Sequence, residues 1–324
     1  MLVPILLFLL GFLLLIKGGD WFVDGAVGVA HRFHLPELLI GATIVSIGTT
    51  LPEVMVSSQA ALQGNAGISY GNAIGSIICN TSLIAALTVA IRPGKVNPKA
   101  FLLPTVSFFL AAGSYALIAY TQGKFNRWMG IVYLLMFAGY MIISTMQMKK
   151  HPEFAEDNGE DDEEAAPKAL WMNVLLMLAG AAAIAVGANL LVENGTRIAA
   201  ALGVPDSVIG LTMVALGTSL PELITAITSL IKGHGALSLG NVIGANLFNI
   251  ILVSGAAITI SPFAIPSEKK LAGMNASLVV DIPVMMLVMM ILCLPTLKAG
   301  RLRRWQGIVL LAMYVAFTMF QFLF

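Results

Sequence analysis

The chain is 324 residues long, 58% of them hydrophobic and 11% charged, with a mean hydropathy of +0.90. A water-soluble domain of this size has no interior able to hide that much apolar surface, which excludes soluble enzymes and nucleic-acid-binding proteins at the outset. The formal net charge of +1 carries no signature of its own, so information lies in where the charges sit.

In chain order, spans are predicted near residues 2–30, 36–62, 70–91, 100–120, 127–148, 169–199, 205–231, 238–260, 281–297 and 304–323. Each is long enough for a hydrocarbon core of about 30 Å. The first run continues through Trp21 and Phe22 with no convincing cleavage site, so it reads as a retained span rather than a signal peptide. If the N-terminus is outside, the loops on the inner side collect twelve Lys and Arg, from Arg32 to Arg304. The outer side holds five: Lys124, Arg127, Arg197, Lys269 and Lys270. That positive-inside bias predicts a multi-pass protein of the plasma (inner) membrane with both termini outside. Cys79 and Cys293 lie within apolar runs and carry no disulfide signal.

Residues 149–168 break the pattern. The stretch "HPEFAEDNGEDDEEAAPK", His151 to Lys168, is acidic and nearly free of large apolar side chains, so it reads as a solvated cytoplasmic linker. The spacing of its acids matches no EF-hand. It separates residues 1–148 from residues 169–324, and these two halves resemble each other. "IGATIVSIGTTLPE" (Ile40 to Glu53) aligns with "IGLTMVALGTSLPE" (Ile209 to Glu222) at an offset of 169 positions. The same offset carries "GNAIGSIICN" (Gly71 to Asn80) onto "GNVIGANLFN" (Gly240 to Asn249) and Asp24 onto Glu193, without a gap. This is an internal duplication. With an odd number of spans per half, the second copy enters the membrane from the opposite side. The expected fold is an all-α membrane protein of ten transmembrane helices, arranged as two inverted five-helix repeats with broken helices at an ion site.

The motif "GTTLPE" places a helix breaker and a carboxylate in the middle of a span. Pro52 has no N–H, so the helix is expected to break around Gly48 and Thr49 and to restart near Pro52 with Thr50 as its cap. Pro221 and Ser219 repeat the arrangement. Carbonyls freed near Gly48, Thr49, Gly217 and Thr218 persist in a membrane only where they are buried in protein or line a hydrated site. Glu53 and Glu222 lie beside them, and a mid-membrane carboxylate is a functional signal by default. In a soluble protein "TLPE" reads as a capping box. Here it lies mid-span, occurs twice in register and comes with paired asparagines. Two carboxylates among carbonyls and hydroxyls form an oxygen cage suited to a hard cation such as Ca2+. Asn80 and Asn249 each follow their glutamate by 27 residues and offer amide oxygens, and Ser76 offers a hydroxyl. Asn72, Asn241 and Asn246 are further amide-bearing positions. The four-residue spacing of Gly71 and Gly75, and of Gly240 and Gly244, suits close helix packing.

On these paired motifs the chain resembles the Ca2+/cation antiporter superfamily, in its prokaryotic-type sodium/calcium exchanger branch. The resemblance implies that two motif glutamates bind Ca2+ and Na+ alternately, aided by threonine carbonyls and polar side chains of neighbouring helices. Carried over, it implicates Glu53, Glu222, Thr49, Thr218, Thr50, Ser219, Ser46, Ser76, Asn80 and Asn249. It also implies that the long first and sixth helices slide over a fixed core. Many exchangers carry Asp where Asn249 stands and Ser where Ala245 stands, so this cage is less anionic. The proton-coupled branch typically has Glu at the positions of Gly75 and Gly244. Ca2+, Na+ and membrane lipid are the expected partners. No cofactor, nucleic acid or obligatory protein partner is expected, and no enzyme motif is found. A proton-coupled or other divalent-cation antiporter, and a cation channel, stay open as alternatives. Asp20, Asp24 and Glu193 are expected to be interfacial or salt-bridged, and Asp281 to cap the ninth span.

Overall fold

The computed structural model describes residues 2–150, 169–202, 219–267 and 269–323. Most of the predicted linker 149–168, the first part of the seventh predicted span and Thr218 lie outside the described residues. Among the described residues the helical runs are α1 (Leu2–Arg32), α2 (Glu37–Leu62), α3 (Ala66–Ile91), α4 (Pro98–Gln122), α5 (Arg127–Lys150), α6 (Leu170–Ala201), α7 (Leu220–Ile231), α8 (Gly235–Ile260), α9 (Ser277–Ala299) and α10 (Arg304–Leu323). Eight of them, all but α7 and α10, are long and apolar enough to cross a membrane. A two-residue-strand hairpin, Lys270–Leu271 with Met274–Asn275, precedes α9. Ala272 and Gly273 turn it with φ of 50° and 81°, the positive-φ pair that a tight hairpin requires.

Sequence chemistry sets the helix ends. Asn65 caps α3 by accepting from the Ile68 N–H at 3.2 Å, and Asn97 caps α4 with Pro98 in its first turn. Gly123 ends α4 at φ 66°, a left-handed geometry that suits glycine.

Burial separates two classes of helix. In the most apolar stretch of α8, 78% of residues are buried, and in that of α3 72%, whereas α1, α5 and α6 reach only 22%. The first two therefore form the centre, and the others present long apolar faces to the surroundings. Exposed Leu6, Leu9, Leu13, Leu135 and Leu178 are what a lipid-facing surface requires.

The two long helices α1 and α6 pack against each other antiparallel through small residues. A Cβ at Gly11 would stand 2.8 Å from the Gly187 carbonyl, and one at Gly18 would stand 2.9 Å from the Ala183 Cβ. Near their other ends, Gly25 and Gly28 meet Met177 and Asn173. In the centre α2 and α8 run parallel and in close contact: Gly240 abuts the Leu38 carbonyl, and Gly244 abuts Ala42 and the Ser46 hydroxyl. Gly240 and Gly244 act as the four-residue spacing predicts, but Gly71 and Gly75 do not: a Cβ at either would meet nothing within 4 Å.

One expectation is corrected. The chain does not break at Gly48 and Thr49: Pro52 sits inside a continuous helix, Ser46–Leu62. Proline removes a single donor, and neighbouring helices in a membrane bundle accommodate that loss. The irregularity lies one turn earlier, as a π-helical segment Gly41–Val45. Thr50 therefore caps nothing, and its hydroxyl has no partner among the described residues. In the second half α7 does begin at Leu220 with Pro221 in its first turn and Ser219 at the N-cap position, but Ser219 makes no side-chain cap bond. Two further π segments, Asn80–Ala85 and Asn249–Ser254, coincide under the 169-residue offset, and each opens on one of the predicted asparagines. Asp281 also makes no cap bond; its Oδ1 accepts from Gln321 of α10 at 3.1 Å.

Candidate cation site

The site is assembled from polar stripes on four helices. Along α2, Ser46, Thr49, Thr50, Glu53 and Ser57 recur at three- and four-residue intervals, so they share a face, and all are buried. Glu222, Thr225 and Ser229 form the matching stripe on α7. The third stripe is Ser69, Asn72, Ser76 and Asn80 on α3, and the fourth is Asn241, Ala245 and Asn249 on α8.

Hydrogen bonds lock these stripes together. Asn72 Nδ2 donates to the Glu53 carbonyl at 3.2 Å and to Ser57 Oγ at 2.8 Å, while Ser69 Oγ donates to the Ser57 carbonyl at 2.9 Å. The backbone carrying Glu53 is thus held by α3. On the other side, Asn241 Oδ1 lies 3.2 Å from Thr49 Oγ1 and 3.3 Å from Ser46 Oγ. Ser46 Oγ is also 2.7 Å from the Gly41 carbonyl, five residues back, where the π turn has displaced it. Ser254 makes the same five-residue contact with the Asn249 carbonyl at 2.9 Å.

Glu53 and Glu222 are both 0% exposed, and they stand close enough to repel each other. Thr49 lies beside Glu222. No oxygen of either carboxylate has a hydrogen-bond partner among the described residues. The same holds for Thr50 Oγ1, Ser219 Oγ, both amide atoms of Asn80 and Asn249 Oδ1. Pro52 in addition deprives the Gly48 carbonyl of its usual donor. Buried polar groups are ordinarily satisfied, so orphans concentrated around two carboxylates define a site for a ligand that accepts oxygen lone pairs. Among the described residues no three of His, Cys, Asp and Glu converge, so the donor set is two carboxylates with neutral oxygens. That set suits hard cations and disfavours zinc or copper.

Of the predicted residues, the structure brings Glu53, Glu222 and Thr49 together. Asn80 and Asn249 stand at matched π-segment starts, Ser76 lies one turn before Asn80, and Thr50 and Ser219 are buried near their glutamates on α2 and α7. Ser46 is placed as a brace between α2 and α8, and Thr218 lies outside the described residues. Sequence reasoning missed Thr225 and Ser229, whose buried hydroxyls also have no partner among the described residues. Their spacing of three and seven from Glu222 was the available signal. It also missed Cys79, a buried thiol beside Ser219 and Tyr314. Nothing in an apolar run distinguishes that cysteine. Asn246 turns to Thr81 Oγ1, 2.7 Å away, and to Met289.

A cavity of about 610 Å³ leads to this site. It runs between α2 and the α1–α6 pair, past Phe22, Gln59 and Asn189, and reaches Gly48, Thr49, Pro52 and Pro221.

A polytopic helical membrane protein with an enclosed, dicarboxylate, all-oxygen site is the class defined by these features. The family model for sodium/calcium exchanger proteins matches residues 3–146 and 172–323, and the chain belongs to that family. It is 33% identical to the sodium/calcium exchanger MaX1 of Methanosarcina acetivorans, over 99% of both chains. It is 36% identical to an uncharacterized membrane protein of Methanocaldococcus jannaschii over 95% of this chain and 94% of that one. Among solved structures it resembles the sodium-calcium exchanger NCX_Mj soaked with 2.5 mM Na+ and 10 mM Sr2+, with a TM-score of 0.79, 32% identity and 97% of both chains covered.

Proposed function

We propose that this protein is a secondary active antiporter that exchanges Na+ for Ca2+ across the plasma membrane by alternating access. The observation that carries this reading is the pair Glu53 and Glu222, buried, repeated in register and with no hydrogen-bond partner for their carboxylate oxygens among the described residues. Two such carboxylates in low dielectric must be neutralised, and either one Ca2+ or more than one Na+ supplies the charge. Occupancy by one cargo excludes the other, which is the logic of exchange. An empty cage is penalised as the protein switches sides, and this suppresses leak.

In this reading Glu53, Glu222, Thr49, Thr218, Thr50, Ser219, Ser76, Asn80 and Asn249 supply the oxygens, with Ser46 holding the geometry. The ten helices form two inverted repeats of five, residues 1–148 and 169–324, joined by the cytoplasmic linker 149–168. Both termini face outward. The antiparallel packing of α1 on α6, which occupy equivalent places in the two halves, supports the inversion. The α1–α6 pair slides over the rest, and the cavity reaching Thr49 and Pro221 is the outward path to the site.

The test is 45Ca2+ uptake into proteoliposomes loaded with Na+, K+, choline or acid, for the wild type and Glu53→Gln. Uptake that requires an outward Na+ gradient and disappears in the variant is expected. Uptake driven only by a pH gradient would assign the counter-ion to H+. Uptake indifferent to every gradient would make the protein a channel.

A further inference from the structure

At the end of the bundle opposite that cavity, two loops are tied into one surface. Val96 N–H donates to the Gly300 carbonyl at 2.9 Å and Leu302 N–H to the Gly94 carbonyl at 2.8 Å. Lys95 and Arg301 pair as an antiparallel bridge. Directly opposed residues in such a bridge project their side chains to the same side, and like charges placed so destabilise the pairing. Lys99, Lys298 and Arg303 add further exposed cations to the same end. None of these five has a carboxylate partner among the described residues.

Several other cations are engaged. Arg197 is paired with Glu193 at 2.6 Å and Lys232 with Asp24 at 2.6 Å. Arg304 and Arg92 partly cap helix ends, the first through the Ala90 carbonyl at 2.9 Å and the second through the Leu230 carbonyl at 3.2 Å. Among the described residues these five cations gather at one end of the bundle, and neither helix capping nor ion pairing accounts for them.

Beside them lies a cavity of about 400 Å³, lined at its mouth by Arg92, Lys95 and Asn97 and more deeply by Thr88 and Ser238. The carboxylate lining it, Glu37, is 3% exposed and engaged by His234 Nδ1 at 2.9 Å, so it does not neutralise the mouth. The patch continues into apolar surface: Ile91, Leu102, Trp305 and Ile308 are 62%, 50%, 45% and 57% exposed. A soluble anion has no use for that apolar border. An amphiphile with a phosphate head has, and an interfacial tryptophan next to a basic cluster is the setting in which one is held.

We propose that the loops 92–99 and 298–304 form a binding site for the phosphate headgroup of an anionic phospholipid, with Lys95 and Arg301 as its principal cations and Trp305 and Ile308 beside the acyl chains. The lipid relieves the repulsion across the bridge and fixes the ends of α3, α9 and α10. The site stands on observations separate from those that define the cation cage.

The experiment is native mass spectrometry of the full-length protein released from detergent carrying phosphatidylglycerol or phosphatidylcholine. The variants are Lys95→Gln/Arg301→Gln and, at the other end, Lys124→Gln/Lys270→Gln, which removes the same charge. Wild type and the second variant are expected to retain phosphatidylglycerol over phosphatidylcholine, and the first variant to lose at least about fivefold of that retention. The same order is expected for the stabilisation by phosphatidylglycerol in a thermal melt, with 10 mM inorganic phosphate giving none, on the order of a free-anion control. Equal retention by both variants, or equal loss, would overturn the site. Stabilisation by inorganic phosphate alone would replace the lipid by a free anion. Lipid binding that appears only after deletion of residues 153–164 would assign the patch to that acidic segment instead.

Discussion

In the proposed exchange site, Asn249 is the side chain that sets the charge of the cage. Its Nδ2 donates to the Ala245 carbonyl at 3.0 Å, which aims the unpartnered Oδ1 away from α8's own backbone. An aspartate there would lose that donor, face the carbonyl with a second oxygen and add a third charge to two repelling carboxylates. Without ions, Asn249→Asp is therefore expected to destabilise the protein by about 1–3 kcal/mol, read as a lower melting temperature in chelator. With Ca2+ the sign reverses, because a divalent ion gains a charged ligand in low dielectric. Its apparent Kd is expected to fall by about tenfold or more, measured by the Ca2+ dependence of the melting temperature. A variant melting like wild type at every Ca2+ concentration would mean that position 249 stands apart from the ion.

Helices α2 and α8 both carry residues of the proposed cage, and their spacing is set by glycine. A methyl at Gly240 meets the Leu38 carbonyl, carbon and Cα, all backbone atoms of α2 that no rotamer change can move. Gly240→Ala gains roughly 0.5–1 kcal/mol of helix propensity but forces the two backbones apart, at about 1–3 kcal/mol. A net loss of stability is expected, with a larger loss of Ca2+-induced stabilisation because Asn241 carries Ser46 and Thr49. The two can be separated by melting the variant with and without Ca2+. These helices also mark what was legible in the sequence. Runs of apolar residues defined the elements, because the bilayer imposes their length, and the duplication pointed to Glu53, Glu222, Asn80 and Asn249. The break at Gly48 was misplaced because proline's missing donor is a local cost that a packed membrane helix absorbs. The true irregularities are π turns, and a π turn is decided by which neighbour receives the displaced carbonyl, as Ser46 and Ser254 do here. Asn241 was visible as the partner of Asn72, yet its work depends on a contact across 192 positions with Thr49.

The asymmetry of the whole molecule lies in how its two ends are closed. At the basic end Lys232, just after α7, reaches α1 through Asp24 Oδ1 at 2.6 Å and Asp20 Oδ1 at 3.5 Å. Shifted by the repeat offset, the same trio becomes Gln63, Glu193 and Asn189. Glu193 is taken up by Arg197 within its own helix, and Asn189 lines the large cavity. One end is thus tethered and, among the described residues, the other shows no equivalent tether, as the proposed access through the cavity at that end requires. Asp20 and Asp24 are one helical turn apart, so a slide of α1 by about 5.4 Å exchanges one partner of Lys232 for the other or releases both. The three side chains are 26% to 43% exposed, and such a pair contributes about 0–1 kcal/mol, enough to move a two-state population by up to about fivefold. Lys232→Met is expected to shift the ratio of apparent Ca2+ affinities measured from the two faces of oriented vesicles by up to that factor. Asp20→Asn/Asp24→Asn is expected to give the same shift, and the triple variant no more than either alone, because all three remove one contact. Additive shifts, or an unchanged ratio, would show that the pair decorates α1 without holding it.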